Sequence, residues 1–251
     1  MPFVSAWLAW THREDLPRQS SPARLPAALF CLAGVAALAG WFGLARSATP
    51  SAGEASLALG TLGWLFGLAG AGCWFLGGAS MLALAFPFGL LLFMLPLPMG
   101  LRAVIETALQ HGSAEVADWM FALAGTPVCR DGMVFRLSDI TLTVAPECSG
   151  IHSTWVLLIT SLVAGRVMLR RPWKRAALCL AVLPLALLRN GFRVFVLGEL
   201  CVHVGPRMID SPIHHHGGPL FFVLSLAPFF LLLYFLRKNE DAAAPSSKPL
   251  N

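Results

Sequence analysis

Charge is scarce in this chain of 251 residues: only 12% of them are Asp, Glu, Lys or Arg, against about 25% in an ordinary soluble domain. Hydrophobic residues make up 57%, and mean hydropathy is +0.70. A compact soluble domain of this length would have to leave apolar patches far above a few hundred Å² in water. That excludes a soluble enzyme and a disordered chain. There is no His-Glu-x-x-His zinc motif, no internal repeat, and no low-complexity stretch except the polar tail from Glu240. The six cysteines do not form a disulfide framework. Cys31, Cys73 and Cys179 lie in apolar runs, where a thiol behaves as a small hydrophobe, whereas Cys129 and Cys201 fall on the oxidising side, where a bridge between them is chemically open but not fixed by the sequence. Lys and Arg flank apolar runs instead of lining one stripe, which argues against a nucleic-acid binder despite the net charge of +5.

What is abundant is apolar runs of membrane-spanning length, about 20 residues each. Six qualify: 25–44, 57–76, 81–99, 151–168, 176–200 and 218–236. The third is crossed by Pro87, Pro96 and Pro98, and the fifth carries a polar break at Arg189–Arg193. The expected fold is therefore all-α: a polytopic transmembrane bundle of about six spans, or seven to eight with broken or interfacial helices. With the N-terminus cytoplasmic, eleven Lys and Arg fall inside and five outside, the arrangement that the positive-inside rule favours. Residues 1–24 then form a cytoplasmic arm, 25–236 a single transmembrane domain and 237–251 a cytoplasmic tail. The first ten residues carry no basic side chain and the first apolar run exceeds a signal-peptide core, so the first span is expected to stay uncleaved.

One long segment, about 100–147, falls outside. Val104, Ile105, Ala108, Leu109, Val116, Trp119, Met120 and Leu123 recur at helical spacing, as in interfacial helices lying on the outer leaflet. Alternation then sets in around Val128, 133–135 and 140–144, and Asp131-Gly132 between two such runs predicts a β-hairpin leading into Pro146-Glu147-Cys148.

Polar groups in so apolar a chain carry the functional information. Three sets stand out, each at an outer helix end. Cys148, followed by Ser149 and Gly150, directly precedes the fourth span, where a helix N-terminus lowers a thiol pKa and offers N–H groups to an oxyanion. Arg189, Asn190 and Arg193 sit in the fifth span; insertion scales put a mid-membrane Arg at ~2.5–3.5 kcal/mol, and snorkelling to outer headgroups is the plain alternative. His214, His215 and His216 precede the sixth span, and adjacent histidines are poor metal-ligand spacing. A thiol, a guanidinium and an imidazole together suffice for acyl transfer.

At these residues the chain resembles the exosortase/archaeosortase family of membrane transpeptidases. The resemblance rests on the Pro-rich third span, Gly125-Thr126-Pro127-Val128, Cys148-Ser149-Gly150, Asn190-x-x-Arg193, and His ahead of Gly218-x-x-x-Phe222. It implies Cys148 as nucleophile forming an acyl-thioester, Arg193 as proton donor or oxyanion stabiliser, and a His before the last span, His214 first and His215 second. Asn190 is then an orienting residue, Ser149 and Gly150 shape the turn, and His152 touches substrate. The implied partners are membrane lipids and exported proteins with a C-terminal signal of a Pro-Glu-Pro-like motif, a transmembrane helix and a basic cluster. Cleavage near that motif and transfer to a surface acceptor would occur on the outer face of a bacterial inner membrane, alongside exopolysaccharide production. No cofactor and no metal is implied. Two positions depart from the family pattern: Glu147 beside the thiol, which raises the thiol pKa unless it turns away or pairs with Arg, and Pro219 after Gly218. The readings that compete are an anion transporter built on a broken fifth helix, a metal-dependent hydrolase using His214–His216, and a serine protease through Ser149.

Overall fold

A computed structural model describes residues 1–11, 13, 21–46, 50–137, 140–144, 150–205 and 218–241. The chain is a polytopic helical protein with one small antiparallel sheet, as its composition requires. Among the described residues, five helical stretches are long and apolar enough to cross a membrane: Arg24–Leu44, Gly53–Phe75, Ile151–Met168, Pro172–His203 and Gly218–Glu240. A broken pair, Ala85–Met94 with Met99–Ala124, brings the number to six if it counts as one span. The chain divides into two compact units, Met1–Arg102 and Ala103–Asn251.

In the first unit, α1 (Pro2–Thr11) occupies the stretch read from the sequence as an arm, and it packs on α5 (Ala85–Leu91) with Leu8 buried. Helices α2 (Arg24–Leu44) and α3 (Pro50–Phe75) form a close pair in which Gly34, Gly63 and Gly70 let the backbones approach, the small-residue packing that replaces hydrophobic driving force in lipid. Leu25, Leu32 and Val35 point outward from α2, as lipid-facing side chains do.

The third apolar run corrects an expectation: it is not one helix. It is divided into α4 (Gly78–Ala83), α5 and a single 3-10 turn, Leu92–Met94. Pro87 has no N–H to return to the carbonyl of Ala83, which is the last residue of α4. Leu95, ahead of Pro96, is extended at φ −69° and ψ 124°, as a residue before proline must be.

In the second unit, 103–124 continue as the single helix α6 (Met99–Ala124). Its stripe of Val104, Trp119 and Leu123 is exposed, leaving an apolar face for a membrane surface, while Leu109, Ser113, Ala114, Ala117 and Phe121 face inward. The expected hairpin is present and gains a third strand. Strand β1 (Cys129–Asp131) pairs antiparallel with β2 (Val134–Arg136), and β2 with β3 (Thr141–Thr143). The loop is Gly132-Met133, with Gly132 at φ +62° and no other positive φ there, the geometry of a II′ turn. Phe135 and Leu142, opposite each other in the register, alternate inward and join Phe121, Val194 and Leu197 in the core. Phe121 meets Phe135 and Phe195 at ring-centroid distances of 5.7 and 5.2 Å.

Among the described residues, four further helices belong to this unit: α7 (Ile151–Met168), α8 (Pro172–Leu180), α9 (Val182–His203) and α10 (Gly218–Asp241). The fifth apolar run is interrupted at Ala181, not at Arg189–Arg193; α9 runs unbroken through those residues. Pro184 is the cause, because it cannot donate to Leu180, the last residue of α8. At the other end of the unit, both carboxylate oxygens of Glu240 accept the N–H groups of Arg170 and Arg171, at 2.8 and 2.9 Å, while the buried Lys174 donates to the carbonyl of Leu236 at 2.7 Å. These bonds tie the α7–α8 turn to the end of α10.

Candidate active site

The site grows from the N-terminus of α7. Gly150 caps that helix in the left-handed region, φ +67° and ψ 18°, with no side-chain cap. Its carbonyl accepts from the Thr154 N–H at 2.9 Å and from the hydroxyls of Ser153 and Thr154 at 3.0 and 2.9 Å. A fourth donor comes from α9, where Nη2 of Arg189 lies 3.3 Å from the same oxygen. A Cβ added at Gly150 would stand 2.7 Å from that Nη2 and 3.4 Å from Oδ1 of Asn190. Glycine is thus required twice, by its backbone conformation and by the two polar side chains pressed against it.

Asn190 is 2% exposed, and its amide donates to Oγ of the buried Ser113 on α6 at 3.0 Å. Close packing of α9 on α6 makes this bond: a Cβ on Gly191 would meet the Ser113 carbonyl at 3.0 Å. Arg189 is 8% exposed and does not snorkel to the surface, which corrects that alternative for this residue. Among the described residues, its Nη1 is buried without a hydrogen-bond partner. Arg193 follows one turn later on α9 and is half-buried.

Upstream, the chain enters the site through Val144. Its N–H donates to the Met133 carbonyl at 2.9 Å, and its own carbonyl accepts from Gln110 at 3.4 Å. The sheet is itself fixed to α6, because Arg130 pairs with Glu115 at 2.7 Å and Asp118 at 3.6 Å. The hydrogen bond to Glu115, ahead of the surrounding carboxylate charge, pushes the Arg130 pKa above its ordinary value. Val144 and Gly150 are therefore both anchored, on either side of 145–149.

Cys148 and Ser149 lie outside the described residues, and so do Glu147 and His214, His215 and His216. The structure brings together Gly150, Asn190 and Arg189 and places Arg193 on the next turn of the same helix. His152 is exposed at the start of α7. Among the described residues no group of three metal-ligating side chains is present. Cys129 and Cys201 are both unbridged, the first exposed and the second buried, so that pairing is not made. The break that the transporter reading placed at Arg189–Arg193 is not there, since α9 runs through those residues; the run is interrupted at Ala181 instead.

Two features escape the sequence reading. Ser113, the partner of Asn190, stands on the inward face of α6 at the same face as Leu109 and Ala117, a spacing that was available. Glu199 accepts from Thr126 and pairs with the exposed His203 at 3.0 Å, bracing α9 against the loop after α6; no motif signals it.

A comparison with family models decides the class: the model for transmembrane exosortase (Exosortase_EpsH) matches residues 1–231. The chain belongs to the transmembrane exosortase family. No curated protein and no solved structure matches it. Exosortases are membrane sorting enzymes of the transpeptidase type that act on exported proteins.

Within this exosortase, Gly150→Ala tests the junction of α7 and α9. A left-handed non-glycine residue costs about 1–2 kcal/mol, and the added methyl must displace Arg189. We expect a lower unfolding temperature in detergent and about a tenfold loss of substrate processing. Wild-type values for both would show that the contact is incidental.

Proposed function

We propose that this exosortase is a cysteine transpeptidase that cleaves the C-terminal sorting signal of exported proteins through an acyl-thioester on Cys148. The signal is a Pro-Glu-Pro-like motif, a transmembrane helix and a basic cluster. The reaction takes place on the outer face of a bacterial inner membrane, with both termini of the chain cytoplasmic. The observation that carries this reading is the packing of the Arg189-Asn190 pair of α9 against Gly150 at the start of α7. Two residues of chain reach at most about 7 Å, so covalent geometry alone keeps Cys148 in the neighbourhood of that junction.

The chemistry follows from the residue types. The Cys148 thiolate, favoured beside a helix N-terminus, attacks the scissile carbonyl carbon, and the carbonyl oxygen becomes an oxyanion. Arg193 stabilises that oxyanion; a guanidinium holds its protons too firmly to serve as the acid. His214, or His215 in its place, is the acid and protonates the leaving amine as the C–N bond breaks. The thioester is then attacked by a nucleophile of the surface acceptor, whose proton returns to the imidazole, and the thiolate is released. Asn190, locked by Ser113, keeps the α9 side chains in register with α7.

The test is co-expression with a reporter protein ending in such a tripartite signal. The reporter should lose its C-terminal helix and appear as a shortened product only when the exosortase is present. A reporter that stays full length in the membrane would contradict the assignment.

A further inference from the structure

We propose that Arg189 and the first turn of α7 form a carboxylate-binding subsite that reads an acidic side chain of the polypeptide substrate beside the scissile bond. The inference rests on the transpeptidase reading above and names a specificity element within it.

Arg189 is 92% buried by its 8% exposure, and it lies against the α7 N-terminus through Gly150. Only one of its terminal nitrogens is used there; Nη1 is buried and unpartnered among the described residues. Five described carboxylates have partners other than Arg189: Glu115 and Asp118 on Arg130, Asp131 on Arg136, Glu199 on His203 and Glu240 on the α7–α8 turn. A buried guanidinium without an anion is rare, because its desolvation is uncompensated. Here the neighbouring field is positive as well: Arg193 is one turn away, and a helix N-terminus carries about half a positive charge.

That combination is suited to one ligand class. A helix N-terminus holds anions through its free N–H groups, and the planar fork of an arginine matches a carboxylate with two parallel bonds. The transpeptidase reading supplies a polypeptide carboxylate as the occupant, and a lipid phosphodiester is the competing anion that the experiment below separates. In this position a bound acidic side chain neutralises Arg189 and fixes the register of the peptide relative to the chain just upstream of Gly150. Arg189 is thus a specificity residue, distinct from Arg193, which faces the reacting carbonyl in the proposed mechanism.

The experiment uses full-length Cys148→Ala protein in nanodiscs of zwitterionic lipid, with two labelled probes: a Pro-Glu-Pro peptide and its Pro-Gln-Pro counterpart. The Glu peptide should bind about tenfold tighter or better, the scale of a charge-assisted pair. Arg189→Gln should bring the ratio to about one. Arg189→Lys, which preserves the charge but not the fork, should reduce it several-fold and serves if the Gln variant does not insert. A preference that survives Arg189→Gln, or no preference in the Arg189 protein, overturns the subsite. So does a preference that emerges only after Glu147→Gln, since Arg189 would then be paired within the chain, or one abolished by phosphatidylglycerol, which would assign the site to lipid. The reporter assay separates the two readings. Processing without Glu preference removes the subsite and leaves the transpeptidase; preference without processing does the reverse.

Discussion

Cys148→Ala should insert into the membrane at wild-type level and process none of the reporter, a loss of at least about 10³-fold given what removal of a covalent nucleophile costs elsewhere. The expectation follows from chemistry, not from packing. Within the second unit the described thiols lie away from the α7–α9 junction: Cys201 is buried near the far end of α9, Cys129 is on β1, and Cys179 accepts from Ser161 within the bundle. Replacement by alanine deletes one sulfur in a segment fixed at both ends, at Val144 and Gly150, so the scaffold should persist. Cys148→Ser should be comparably inactive, since a helix N-terminus that yields a thiolate at neutral pH leaves a hydroxyl protonated. Processing measured by loss of the reporter's C-terminal helix, with membrane abundance as the control, reads both. Residual activity within tenfold of wild type would end the nucleophile assignment.

The second large effect is expected at Arg193. Arg193→Lys should lower turnover by about 10²–10³-fold, the range for loss of one oxyanion donor, with little change in apparent KM. A lysine keeps the charge and gives up the planar fork, so its failure identifies geometry as the requirement. Arg189→Lys should act differently, shifting peptide affinity more than turnover. The two arginines lie one turn apart on one helix and are chemically identical, so the KM-against-kcat split separates roles that sequence alone cannot. Full activity of Arg193→Lys would reduce that residue to a point charge.

Much of this architecture was legible beforehand, and the exceptions have physical causes. Apolar length sufficed for the spans at 25–44, 57–76, 151–168 and 218–236, because composition alone sets whether a helix can live in lipid. It did not reveal which prolines break helices. Pro87 and Pro184 end α4 and α8, whereas Pro228 sits inside an unbroken α10; the outcome depends on whether neighbouring groups satisfy the freed carbonyl, which is tertiary information. The hairpin at Asp131-Gly132 was readable from turn chemistry, but the loop is shifted by one residue to Gly132-Met133. The site was half legible. The types and order of Cys148, Asn190 and Arg193 pointed to a family that the chain indeed matches over residues 1–231. Burial of Arg189 and its meeting with Gly150 depend on how close α9 comes to α7, which no spacing rule encodes. Cys148 and the triple histidine fall outside the described residues, so their roles rest on chemistry and kinship.

The most direct measurement is capture of the acyl-enzyme. Membranes carrying the wild-type exosortase and the reporter, quenched rapidly in acid during turnover, should contain a covalent adduct between the shortened reporter and the enzyme. Proteolysis and mass spectrometry should map it to the peptide containing Cys148, and hydroxylamine should release it as a thioester. An adduct mapped to Ser149, or continued reporter processing with no hydroxylamine-labile species in any variant, would contradict the account.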